Sequence, residues 1–172
     1  RSEYYDNMFR DMFDKWLKEN NIDYDAYNCP IFNTDKEMFD FRIYLSKKYY
    51  EGMYDYVRNV IGLKIPICGT NWAHTAALVK SQEKMDFQDG HHYYYDWKWG
   101  EYEKTTFNRS LTELPNSRLA GSCSTRIHGQ PFTMTEWDMP WPNSYRCESP
   151  IWYSATGCLQ NFSAMSIHTY GY

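Results

Sequence analysis

The chain of 172 residues is long enough for one domain with a sizeable core. A net charge of −4, spread along the chain rather than blocked into tails, offers no basic field for nucleic acid. No apolar run approaches the ~18 residues of a membrane-spanning helix, and the 19% of aromatic residues suits either a tyrosine-rich core or a cleft whose flat rings cover sugar faces.

Glu3 to Asn20 reads as a helix, because Tyr5, Met8, Phe9, Met12, Phe13, Trp16 and Leu17 recur at three- and four-residue spacing. A loop through Tyr27-Asn28-Cys29-Pro30 leads to a second helix from about Thr34 to Ile61. Thr34 and Glu37 are spaced as a capping box, and Gly62 stands in the usual C-terminal position. The pattern then changes. Lys64 to Gly69 is short, apolar and bounded by glycines, so it reads as a strand. Thr75 to Lys84 reads as a short helix, and Met85 to Tyr93 as a second strand. An aromatic, polar excursion runs from Tyr94 to about Pro115, and Ser117 to His128 has weak helical character. Pro131 to Glu136 is the third strand, Glu148 to Asn161 a helix, and Ala164 to Tyr170 a fourth strand. Strands alternating with helices predict an α/β unit with a parallel sheet and right-handed crossovers.

Five cysteines, an odd number without a CxxC spacing, support neither a disulfide scaffold nor a zinc knuckle. Asn108-Arg109-Ser110 and Asn161-Phe162-Ser163 fit the glycosylation sequon. No signal peptide is visible and the start of the chain reads as interrupted, so both cytoplasmic and secreted locations stay open.

Polar and aromatic residues cluster where the strands should end: Asn71-Trp72, then Asp89, His91 and Tyr93, then Glu136-Trp137, then His168 and Tyr170. In parallel α/β folds that edge carries the binding site. Strand alternation places Phe132, Met134 and Glu136 on one side and Thr133 and Thr135 on the other. If the first two point into a barrel interior, Glu136 does so at its rim. Asp89, His91 and Tyr93 share a side, and a phenol or imidazole beside a carboxylate would hold its orientation and charge. His92 faces away, and no third ligand is spaced to make a metal site with it.

These motifs carry a resemblance. Ile65-Pro66-Ile67-Cys68-Gly69-Thr70-Asn71, Asp89-x-His91-x-Tyr93, Pro131-Phe132-Thr133-Met134-Thr135-Glu136-Trp137 and Pro142-Asn143-x-Tyr145-Arg146-x-Glu148 stand in an order similar to strands five to eight of the clan-A retaining glycoside hydrolases. Met8 to Leu17 is similar to the helix that follows strand four in such enzymes. The resemblance implies a (β/α)8 barrel of which residues 1–172 form the C-terminal half, as a single unit. It implies that Glu136 is the nucleophile and that Tyr93 or His91 hydrogen-bonds it. Asn71, Trp72, Asp89, Trp137, His168 and Tyr170 become candidates for binding a carbohydrate substrate, with Trp72, Trp137 and Tyr170 as stacking platforms. No cofactor is required.

The chain also departs from that family. Its acid/base glutamate sits in an Asn-Glu pair, and no such dipeptide occurs here; Ser2-Glu3 is nearest in position. His168 and Tyr170 replace the tryptophan common in the last strand. The acid is therefore expected from outside this chain. Four parallel strands alone would leave unpaired edges, so a complementing N-terminal half-barrel or self-association is expected as well. A glycan-binding module without turnover and a structural α/β domain are the rival readings.

Overall fold

The computed structural model describes residues 2–31, 35–72, 75–94, 108–113 and 118–169. Expected features at Thr34, at Tyr170 and over most of the Tyr94–Pro115 excursion lie outside the described residues. The chain folds as a mixed α/β unit.

Helix α1 (Glu3–Glu19) and helix α2 (Lys36–Asp55) pack together around Phe13, Leu17, Ala26, Met38 and Phe41. Only part of the predicted stripe in α1 turns inward: Phe13 and Leu17 are buried, whereas Tyr5, Met8 and Met12 are exposed. Arg10 ties the connecting loop down by donating to the carbonyls of Ala26 and Cys29, at 2.7 and 2.8 Å. Beyond α2 the helix widens into a π-helical turn over Tyr56–Ile61 and stops at Gly62. The φ of Gly62 is +79°, a conformation that side chains disfavour.

Among the described residues, three strands form one parallel sheet in the order β1 (Gln88–Tyr93), β2 (Phe132–Asp138), β3 (Ala164–Ile167). Between them lie the short helices α3 (Ala76–Ser81) and α4 (Arg118–Cys123) and the longer α5 (Glu148–Gln160). Thr75 caps α3 by accepting the Leu78 amide at 3.2 Å. A second core joins β1, β2 and α5 through Tyr94, Phe132, Met134, Trp137, Met139 and Tyr153. Gly157 lets α5 lie close to β3, because a Cβ there would come within 2.4 Å of the Met165 sulfur.

The predicted strand at Lys64–Gly69 is not a regular strand. Pro66 lacks an amide donor, and beyond it side chains take up amides that a ladder would use. The Asp86 carboxylate takes the Ile67 amide at 2.7 Å, and the Gln82 side chain takes the Thr70 amide at 2.5 Å. The segment rejoins β1 through a single antiparallel bridge between Trp72 and Gly90.

Asp86 is the junction between this segment and the helical layer. Its carboxylate accepts the Tyr54 hydroxyl at 2.8 Å and pairs with Arg58. Burial alone would raise its pKa. Tyr54, the Ile67 amide and Arg58 together outweigh burial and hold it below the ordinary carboxylate value of 3.8. Asp86→Asn is therefore expected to cost about 1–2 kcal/mol at neutral pH, since hydrogen bonds to a charged group are strong but this site is partly solvated. The contribution is present above the unfolded carboxylate value and lost as the pH falls through the lower folded one. Melting curves of variant and wild type should thus converge in acid; a constant difference across that range would refute the assignment.

Candidate functional site

The site is built on the face of the sheet opposite α5, at the C-terminal ends of β1 and β2. β2 carries one residue more than both of its neighbours. Met134 pairs with Gly90 and Met165, but the next pairings are His91 with Glu136 and Ile167 with Trp137. Thr135 is the extra residue of a β-bulge. The bulge reverses the expected alternation. Phe132 and Met134 do face the same way, but toward the α5 core rather than a barrel interior. Glu136 leaves their face and joins Thr133 on the other.

There Glu136 meets two partners. The Tyr93 hydroxyl donates to Oε2 at 2.6 Å, and His91 Nδ1 lies 3.1 Å from the same oxygen. The Glu136 side chain remains 33% exposed, so a solute can reach it. Behind this pair, Asp89 is only 5% exposed and accepts three hydrogen bonds. Thr133 Oγ1 donates to Oδ1 at 2.6 Å, the Thr135 amide to Oδ1 at 3.2 Å and Thr135 Oγ1 to Oδ2 at 2.6 Å. Thr135 Oγ1 also lies 3.2 Å from His91 Nε2. The Asp89, His91 and Tyr93 row thus shares one face, as alternation predicts, and each member is tied to β2.

The other candidates separate. Trp72 is 54% exposed, with its ring centroid 5.8 Å from that of His91, so an apolar surface borders the site. Asn71 precedes it and is half-buried. His168 follows β3, its ring edge-on to Tyr93 at 6.2 Å. Trp137 does not join them: it is 8% exposed and stacks on Tyr153 at 4.8 Å, on the α5 side of the sheet. The bulge that delivers Glu136 to one face sends its neighbour to the other. Tyr170 is outside the described residues.

Two residues that sequence reasoning did not select belong here. Thr135 is the bulge itself and touches both Asp89 and His91. Asp138 stands opposite Tyr93 in the register. Burial pushes the Asp138 carboxyl up, against the opposing effects of the Met139 amide and His168. A threonine pair just ahead of a strand carboxylate is the available signal for Thr135; the bulge that gives it meaning has no signature in the letters. Cys68 borders the site from the irregular segment, its thiol pKa raised by burial and then by the charge of Asp89. Among the described residues, no three His, Cys, Asp or Glu side chains group as a metal site would require, and no helix is long and apolar enough to cross a membrane.

No family model, curated protein or solved structure matches this chain.

Proposed function

We propose that this chain is the nucleophile-bearing part of a retaining glycoside hydrolase. The observation that carries the reading is the reachable Glu136 carboxylate at a parallel strand end, with Tyr93 and His91 both on Oε2. A phenol donor fixes the direction of attack. Glu136 would displace the leaving group at an anomeric carbon and form a glycosyl-enzyme, which water then releases. The second carboxyl, acting first as acid and then as base, belongs in this reading to a segment outside these residues, and should sit ~5–5.5 Å from Glu136. Trp72 supplies an exposed ring beside the site, suited to the apolar face of a sugar.

The architectural half of the proposal is a C-terminal half-barrel. The sequential parallel order of β1, β2 and β3 supports it, as does a sheet packed against α5 on one face and polar on the other. A complementing half, or a second copy, would cover the polar face and complete the cleft.

The test is covalent trapping in the complete protein with a panel of slow fluorinated aryl glycosides, followed by peptide mass mapping. Label on the peptide containing Glu136 is expected. Hydrolysis with label on a different carboxylate, or neither label nor hydrolysis across the panel, would overturn the reading. Tyr93→Phe should lower kcat/KM by roughly 10–100-fold, the kinetic equivalent of a hydrogen bond to a charged group, while leaving the site of labelling unchanged.

A further inference from the structure

The hydrogen bonds behind Glu136 have a direction, and that direction places protons. Asp89 receives three donors, so its carboxylate acts only as an acceptor. The one hydroxyl hydrogen of Thr135 is committed to Asp89 Oδ2 at 2.6 Å. Thr135 Oγ1 therefore has only lone pairs left for His91 Nε2 at 3.2 Å, and Nε2 must carry a hydrogen. On the other side of the ring, Nδ1 faces Glu136 Oε2 at 3.1 Å. A neutral imidazole holds one N–H. If Nε2 has it, Nδ1 presents a lone pair to a carboxylate oxygen, and two acceptors meet. If Nδ1 has it, Nε2 and Thr135 Oγ1 meet as two acceptors instead. The His91 side chain is 5% exposed, so water does not readily repair either mismatch.

We propose that Asp89 and Thr135 are positioning residues that lock a proton on His91 Nε2 and so require a second, bridging proton between Nδ1 and Glu136 Oε2. This inference rests on the reading of Glu136 as nucleophile, and it adds what holds that nucleophile. Asp89 touches neither Glu136 nor a substrate in this arrangement; it acts through Thr135 and His91. The remaining neighbours fit the same arrangement. Tyr93 donates to the same Oε2, His168 lies edge-on to Tyr93, and the Trp72 ring lies beside the imidazole. None of these contacts supplies a donor to Nδ1.

The experiment is nitrogen-15 NMR of the histidine rings in the complete protein, with His91 assigned by comparison with His91→Gln. Both ring nitrogens of His91 should carry hydrogen, with a coupling from Nδ1–H to Glu136. Thr135→Val keeps the shape and removes the hydroxyl, so Nε2 loses its acceptor, and the Nε2–H signal should disappear while Nδ1–H persists. Thr135→Ser should retain both signals. Asp89→Asn frees the Thr135 hydroxyl to turn and donate to Nε2, giving the same loss as Thr135→Val by a separate route. Thr135 is exposed, so its variants should fold even if those of buried Asp89 do not. A bare Nδ1 in the wild type, or two unchanged signals in Thr135→Val, would overturn the relay. The covalent trapping described above is independent of these signals. Label on Glu136 with a bare Nδ1 rejects the relay and keeps the hydrolase; the expected ring signals without label reject the hydrolase and keep the relay as a hydrogen-bond network.

Discussion

On the proposed hydrolase reading, Glu136→Gln in the complete protein is expected to lower kcat by at least about a thousandfold, ~4 kcal/mol of barrier, while substrate affinity stays nearly intact. The amide has nearly the volume of the carboxylate, and its oxygen can still accept the Tyr93 hydroxyl that now lies 2.6 Å from Oε2. What it lacks is the charge that, on this reading, would attack an anomeric carbon. Loss confined to turnover is the mark of an interaction made only in the transition state. Steady-state kinetics on an aryl glycoside, with binding measured separately, decides the matter. Activity surviving within about tenfold, ~1.4 kcal/mol, would remove Glu136 from the role of nucleophile.

Phe132→Ala should cost about 3–5 kcal/mol of folding stability, a large share of the ~5–15 kcal/mol that holds a typical domain together. The ring is 2% exposed and packs at 4.7 Å from that of Phe162. Gly90, in the adjacent strand, has no Cβ; one added there would lie 3.2 Å from the edge of the Phe132 ring. The space is therefore shaped by backbone, which closes poorly around a vacancy, so both the transfer loss and the cavity cost apply. Because Phe132 begins the strand that carries Glu136, the loss should weaken the site as well. Chemical denaturation with an unchanged m-value would measure it. A shift below about 1 kcal/mol would mean that the core between β2 and α5 contributes little.

Much of this architecture is legible in the letters, for identifiable reasons. The apolar spacing in α1 is a local property, and the position of that helix follows from it within a few residues. The shared face of Asp89, His91 and Tyr93 follows from the period of an uninterrupted strand. Two features escape such rules. At Lys64–Gly69 the apolar run reads as a strand, but Pro66 and the side chains of Asp86 and Gln82 replace the ladder, and partners so distant in sequence carry no local signal. At Thr135 the bulge breaks strand period, so Glu136 was expected on the face of Phe132 and Trp137 among the polar groups, whereas they lie the other way round. The pairing Tyr93–Glu136 was readable all the same, because it depends on strand ends meeting in a parallel sheet rather than on parity.

That extra residue means β2 is written in two reading frames. Before Thr135 the even-numbered positions, Phe132 and Met134, are packed inside; after it the odd-numbered ones, Trp137 and Met139, take over. Removing Thr135 would merge the frames into one regular alternation, in which Phe132, Met134, Trp137 and Met139 still pack inside and Glu136 keeps its place opposite His91. What would go is the amide and hydroxyl that Thr135 gives to Asp89, and its contact with His91. The extra residue therefore adds nothing to the alternation of packed side chains; its contribution lies on the polar face, where it fastens Asp89 to β2.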